Sequence, residues 1–266
     1  METGPHFKVI LQSYTKKGTG HRDMDNLLST DHDRTIMSAQ ATLAGLYPPT
    51  SGQIWNRKIL WQPIPVRTLP QSLDYLYAPI PGCPRYDRIQ NDTMKSNIFQ
   101  RKILPYTITH HYPIPGWATP AVLAKLEELS DLTLLSLFGI YKRREKSLLQ
   151  GGLIVKAVLK DIIEATKREN KRKLMVYSAH ATTIAAFQIA LNVYNGKVPP
   201  WSSCQFIELY EDINGQYTIE MYYRNDTSGN LHQLTLPGCS IFCSLPKFIQ
   251  LVSPVIVADR AQECHN

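Results

Sequence analysis

The chain has 266 residues, which suits one large α/β domain or one domain with a small cap. Hydrophobic residues make up 43% and charged residues 19%, an ordinary globular balance with ample material for a core. The formal net charge of +7 is mild for this length, and the most basic run, Lys167–Lys173, is broken by Glu169 and Asn170, so it reads as a solvated loop or helix end. With no zinc-finger spacing and no RNP-like aromatic motif, nucleic acid is not an expected partner. No stretch is long and apolar enough to span a membrane.

In chain order, Met1–Gly20 carries charges and polar residues throughout, without the apolar core of a signal peptide. Within it Phe7–Leu11 reads as a short strand. From Ser29 the texture changes. Ser29, Thr30 and Asp31 offer N-cap candidates, and Ile36, Met37, Leu43 and Ala44 supply apolar residues for a helix that Pro48-Pro49 stops. Residues 50–118 are rich in proline and aromatics and read as long packed loops with short helical turns. Thr119-Pro120 is a helix start, with Thr as N-cap and Pro in the first turn, followed by Val122, Leu126 and Leu129 at helical spacing. Gly151-Gly152 separates this region from a second helix with an apolar face of Val155, Val158, Leu159, Ile162 and Ile163.

The clearest α/β unit comes next. Leu174–Tyr177 is a short apolar strand, Ser178–Ala181 a turn, and Thr182–Tyr194 a helix closed by Asn195-Gly196. Gln205–Glu211 and Gln216–Arg224 flank Asn214-Gly215, a type I′ hairpin signal, with Tyr217, Ile219, Met221 and Tyr223 on one face. A late helix starts near Pro246.

Four of the five cysteines, Cys204, Cys239, Cys243 and Cys264, lie in the C-terminal quarter without the paired spacing of a zinc site. Sequons at Asn91 and Asn225, together with the cysteines, point to a secretory origin, against which stands the polar N-terminal stretch. His110-His111 is an adjacent pair whose side chains point in different directions, so it reads as an exposed loop rather than a metal site. A strand that ends in a turn and opens into a helix is where α/β proteins hold anions, because the first N–H groups of the helix are unpaired and its dipole is positive there. His180 sits at that point. On the residues alone, a lone histidine at a strand end reads as structural.

The surrounding stretch, Val176–Asp212, resembles the C-terminal catalytic segment of histidine acid phosphatases of the lysosomal and prostatic type: Y-S-A-H-D-T-T, a helix, Y-N-G, P-P, a cysteine and E-L-Y. Other stretches follow the family in the same order. Ser29–Pro49 resembles its R-S-T-D-x-D-R-T-x-M-S-A segment, Trp55–Pro70 its W-Q-P-I-P-V core, and Leu132–Gly152 its L-Q-G-G run. Glu220–Asp226 and Leu236–Cys243 match E-M-Y-Y-R-N and L-P-G-C. The resemblance covers roughly residues 26–266, leaving 1–25 as a divergent N-terminal segment. It implies an α/β fold: a mixed, mainly parallel sheet flanked by helices on both faces, with a reduced helical cap around 71–118. Between Leu104 and Trp117 the chain lacks several tens of residues that the family has, including one cysteine.

In the family, the histidine of an N-terminal R-H-G-x-R-x-P motif attacks phosphorus, arginines hold the phosphate oxygens, and a His-Asp pair supplies a phosphate contact and the leaving-group proton. A phosphomonoester needs those cationic donors, an in-line nucleophile and an acid. This sequence has no R-H-G-x-R-x-P, and His21-Arg22-Asp23 is not that motif. Leu28 stands where the R-S-T-D arginine is expected, and Ala181 where the acid is. His180 alone matches, as a remnant phosphate contact. Arg34, retained from D-R-T, is read as a structural helix residue. The resemblance therefore implies an inactive or severely impaired acid phosphatase that binds phosphate or a phosphomonoester weakly at most. The alternatives are an active enzyme using an unrecognised nucleophile, and a partial splice or gene-model product. No metal or organic cofactor is implied. The family pattern pairs Cys83 with Cys264 and Cys239 with Cys243, leaving Cys204 unpaired. It implies a secreted or lysosomal setting and leaves open a homodimer through the region of Trp61, where Arg67 replaces a family histidine.

Overall fold

The computed structural model describes residues 7–13, 26–95, 119–225 and 230–265. In chain order these form β1 (Phe7–Ser13), β2 (Asn26–Ser29), α1 (Asp33–Leu46), β3 (Arg67–Thr68), α2 (Pro84–Lys95), α3 (Pro120–Phe138), α4 (Arg143–Leu149) and α5 (Gly151–Ala165). There follow β4 (Leu174–Ala179), α6 (Ala181–Ala190), β5 (Cys204–Glu211), β6 (Tyr217–Arg224), β7 (His232–Leu234), β8 (Cys243–Ser244), α7 (Leu245–Val252) and α8 (Arg260–His265). The strands make one mixed sheet in the order β3-β2-β4-β1-β5-β6-β7, with β8 also paired to β6. Pairing is parallel from β3 through β1 and antiparallel beyond. The edge strands β3 and β7 are short, which limits the unpaired backbone offered to other chains.

Alternation along the strands sends side chains to two cores. One face carries Val9, Tyr177, Ile207 and Met221, buried against Phe138, Ile154, Ile184 and Phe248 of α3, α5, α6 and α7. The other carries Leu27 and Val176 against Ala39, Leu43 and Tyr47 in and after α1. Helices thus cover both faces, as expected of the α/β fold. β1, from the divergent N-terminal segment, occupies the middle of the sheet between β4 and β5.

Several local expectations change. β4 runs on to Ala179 and α6 begins at Ala181, so the four-residue turn shrinks to His180 alone. α6 stops at Ala190, short of Asn195-Gly196, because Asn192 takes a left-handed φ of 60°. α1 has His32 as its N-cap; Ser29 closes β2 instead. A regular helix, α2, lies where loops were expected, with Tyr86, Ile89 and Thr93 buried at helical spacing. Gly151 and Gly152 open α5 rather than lying between helices, and they allow close approach. A Cβ on Gly151 would lie 2.1 Å from the Ala186 carbonyl oxygen, and one on Gly152 would lie 1.8 Å from that of Val255. In the hairpin only Gly215 has a positive φ, of 73°. The Asp212–Gly215 turn closes through Gly215 N–H to Asp212 O at 3.0 Å, so Gly215 serves as the left-handed residue after an ordinary turn and no type I′ pair forms.

Disulfides join Cys83 to Cys264 and Cys239 to Cys243, and Cys204 is a buried free thiol. The first ties the start of α2 to α8. Lys146 of α4 is fully buried; its ammonium donates to Gln90 Oε1, Thr93 Oγ1 and the Ser136 carbonyl at 3.1, 2.9 and 2.5 Å, tying α2 and α3 to α4. Burial pushes that lysine down to about 8. The basic run sits at the end of α5, where Lys167 pairs with Glu164 and Arg172 with Asp161. Among the described residues no helix is long and apolar enough to cross a membrane.

Candidate functional site

β2 and β4 run parallel in register, with Leu28 beside Tyr177 and Ser29 beside Ser178. They end together at one edge of the sheet, the edge where open α/β sheets bind ligands. Thr30 N–H continues the ladder to Ser178 O at 3.2 Å, which brings Thr30 next to His180. His180 is the N-cap of α6, in extended backbone, and its N–H donates to Thr183 Oγ1 at 3.2 Å. The Thr183 hydroxyl in turn donates to Leu76 O at 2.6 Å, which anchors the helix start to the loop before α2.

Both ring nitrogens of His180 have partners. Arg34 Nη2 lies 3.4 Å from Nδ1, and Thr30 Oγ1 lies 3.1 Å from Nε2. A guanidinium can only donate, so Nδ1 accepts and the proton belongs on Nε2, directed at Thr30. The chain of hydroxyls continues: Thr30 Oγ1 is 2.7 Å from Thr35 Oγ1, whose own proton goes to the carbonyls of Thr30 or His32 at 3.0 and 2.9 Å. The rings of His32 and Tyr77 stand edge-on to His180 at 5.5 and 5.6 Å. Burial, then the Arg34 charge, then His32 push the imidazole down to about 4. It is a neutral hydrogen-bond donor through most of the acid range.

Beside His180 opens a cleft of about 510 Å³. Arg34, Thr35 and His180 are its polar lining residues, and Ala179 and Ala181 also line it. Its apolar wall is Val198, Pro199, Pro200 and the half-exposed Trp201. That wall is fixed by its own backbone. Ser203 N–H donates to Pro200 O at 3.2 Å, Ser202 is held at a φ of 64°, and Arg224 Nη2 donates to Ser202 O at 3.1 Å. The same Arg224 nitrogen is 3.2 Å from Cys204 Sγ, and burial raises that thiol to about 11.

The residues singled out from the sequence fall in different places. His180 and Ala181 line the cleft. Leu28 packs partly buried against the main core instead of facing it. Arg34, read as a structural helix residue, is in fact a wall of the cleft and touches His180. Thr30 was not singled out as part of a site, since no local pattern links it to a histidine 150 positions away. Asn91 is exposed on α2, while the Thr93 of its sequon is buried and bonded to Ile89 O and Lys146. Asn225 is half-buried just beyond β6. His21-Arg22-Asp23, His110-His111 and the rest of the second sequon lie outside the described residues. Among the described residues no group of three or more His, Cys, Asp or Glu side chains is placed to hold a metal.

The chain is similar to known proteins in sequence and in fold. The family model described as histidine phosphatase superfamily (branch 2) matches residues 83–224. Prostatic acid phosphatase of Bos taurus is 44% identical over 275 residues, spanning 91% of this chain and 71% of that protein. The prostatic acid phosphatase of Homo sapiens is 41% identical over 295 residues, spanning 99% and 76%. Lysosomal acid phosphatase of Rattus norvegicus is 41% identical over 275 residues, spanning 92% and 65%. In fold, the chain is similar to the Citrobacter braakii phytase, with a TM-score of 0.58 at 11% identity over 98% of this chain and 99% of that one. Against the Hafnia alvei phytase in complex with tartrate, the TM-score is 0.59 at 12% identity, over 98% of both chains.

Proposed function

The chain belongs to the histidine acid phosphatase family, within branch 2 of the histidine phosphatase superfamily, and from that premise we propose that it is a binding member that does not turn over phosphomonoesters. The state of His180 carries this reading. The one histidine that matches the family motif is neutral and engaged at both nitrogens, by Arg34 and by Thr30. The residue after it, where a leaving-group acid is needed, is Ala181. Leu28, at the position of a phosphate-holding arginine, packs on the core. No R-H-G-x-R-x-P occurs in the sequence to supply a nucleophile.

The expected losses are large. Absence of a general acid costs about 10²–10⁴ in rate. Absence of the nucleophile removes the covalent route altogether, and groups that act as a unit do not lose their effects additively. With Leu28 in place of a phosphate-holding arginine, phosphate binding at His180 is expected to be weak. We read residues 26–266 as one phosphatase-like domain that takes a central strand from the segment before it. Two disulfides and the sequons at Asn91 and Asn225 support a secreted or lysosomal glycoprotein.

Hydrolysis of p-nitrophenyl phosphate at acid pH tests the reading, with the unaltered chain beside a Leu28→Arg/Ala181→Asp double variant. The unaltered chain should release no p-nitrophenol above background. Tartrate-sensitive turnover by it would overturn the proposal.

A further inference from the structure

The walls of the cleft differ in chemistry, and that difference points to a class of ligand. We infer that the cleft beside His180 takes a small amphipathic monocarboxylate, an acid with an aryl or branched alkyl body, held through Arg34 and packed against Trp201. The inference rests on the non-catalytic reading above, since it assigns to the same cleft a ligand that is bound and not transformed.

Charge comes first. Among the described lining residues, Arg34 is the one permanent cation. His180 contributes no charge, because its Nδ1 lone pair already accepts from Arg34 and its remaining proton faces Thr30. The Thr35 hydroxyl is committed to Thr30 and to backbone carbonyls. A guanidinium carries five N–H donors in a fixed fork, and here one nitrogen is directed at His180. The fork matches a carboxylate in geometry and its single charge matches in magnitude. A phosphomonoester dianion would bring a second negative charge into a cleft without a second cation on its described walls. An uncompensated charge against apolar surface is strongly disfavoured.

The apolar wall supplies the rest. Val198, Pro199, Pro200 and Trp201 line the cleft together with Ala179, Ala181 and the polar residues. Trp201 remains 58% exposed, and its backbone lies inside the Pro200–Ser203 turn. That turn is pre-organised by two prolines, by the Ser203–Pro200 hydrogen bond and by Arg224 on the Ser202 carbonyl. A wall ordered before binding costs little to order on binding. The cleft volume of about 510 Å³ lies within the range of small-ligand sites, and an apolar lining with few convergent polar groups is their usual composition.

Calorimetric titration of the full chain at pH 6 tests this with three probes: 3-phenylpropionate, the neutral 3-phenylpropanol and phenyl phosphate. Saturable binding of 3-phenylpropionate is expected, at least about tenfold tighter than either of the others. Arg34→Gln and Trp201→Ala should each weaken it by tenfold or more, and Arg34→Lys, which keeps the charge and loses the fork, should fall between. Melting curves of each variant select those that fold. No saturable carboxylate binding, tighter binding of phenyl phosphate, or unchanged affinity in folded Arg34→Gln overturns the inference. Phenol release in the phenyl phosphate arm is a separate readout: it overturns the non-catalytic reading and this ligand assignment with it. Absence of carboxylate binding without phenol release overturns the ligand assignment alone.

Discussion

Arg34 and His180 stand 146 positions apart in the chain and 3.4 Å apart in space, with the guanidinium on Nδ1. This contact sets the tautomer of the histidine and helps to keep it uncharged. In a phosphate site an imidazolium would be useful. Here the adjacent arginine makes it unfavourable.

The histidine should therefore titrate low. Ring NMR shifts of His180 are expected to report a neutral Nε2–H imidazole down to about pH 5, with a midpoint near 4. Arg34→Met should move that midpoint upward, because the Arg34 charge is the second largest cause of the shift after burial. The stability effect follows in sign. Unfolded histidine takes up a proton near its ordinary value of 6.5, which the folded site refuses until about 4. Stability should fall as the pH drops through that window and be unaffected by this group above it. Urea unfolding at pH 7, 5 and 4 should show a shallower fall in His180→Gln.

Lys146 gives a slope at the other end. Its folded value of about 8 lies below the 10.5 of an open chain, so between those values the unfolded state holds the extra proton. Stability from this group should rise as pH increases from 8 toward 10, and Lys146→Met should lack the rise. Guanidinium unfolding at pH 7.5 and 9.5 measures both.

The two glycines opening α5 should tolerate no side chain. Gly151→Ala drives a methyl into the Ala186 carbonyl and Gly152→Ala into that of Val255. Overpacking of this kind costs about 1–3 kcal/mol even where side chains can yield, and a backbone carbonyl yields less. Both variants should lose at least about 3 kcal/mol or fail to fold. Gly196→Ala is the control: it has open space but a φ of 85°, and should cost about 1–2 kcal/mol.

The disulfides should differ in weight. Cys83–Cys264 closes a loop of 181 residues and Cys239–Cys243 one of 4. On chain-entropy grounds, removing the first should cost about 5 kcal/mol and removing the second about 2. Denaturation of the paired Cys→Ser variants should preserve that order.

Much of this architecture was legible where the pattern is local. The Leu174–Tyr177 strand, the histidine after it and the helix beyond are contiguous, so their juxtaposition needs no tertiary information. Thr119-Pro120 opens α3 as read, with Thr119 accepting from Val122 N–H. What was not legible depends on distant partners. Arg34 on α1 reaches His180 only because β2 and β4 pair in parallel and end level with one another. α2, whose buried Tyr86, Ile89 and Thr93 carry helical spacing, lies in a stretch whose richness in proline and aromatics suggests packed loops with short helical turns. The Asn214-Gly215 turn was placed correctly but mistyped, because Asp212 Oδ1 caps the N–H groups of Asn214 and Gln216 and favours a different turn.

The position of β1 has a consequence for biosynthesis. Lys8 pairs with Leu174 on one side and Glu208 on the other, so β1 is made long before either of its neighbours. At ribosomal rates of about 5–20 residues per second, the roughly 200 residues between Lys8 and its second neighbour take on the order of 10–40 s to appear. Until Leu174 appears both backbone edges of the future central strand lack their partners, and from then until Glu208 appears one still does. The nascent chain therefore depends, more than the finished molecule does, on whatever shields an unpaired strand during translation.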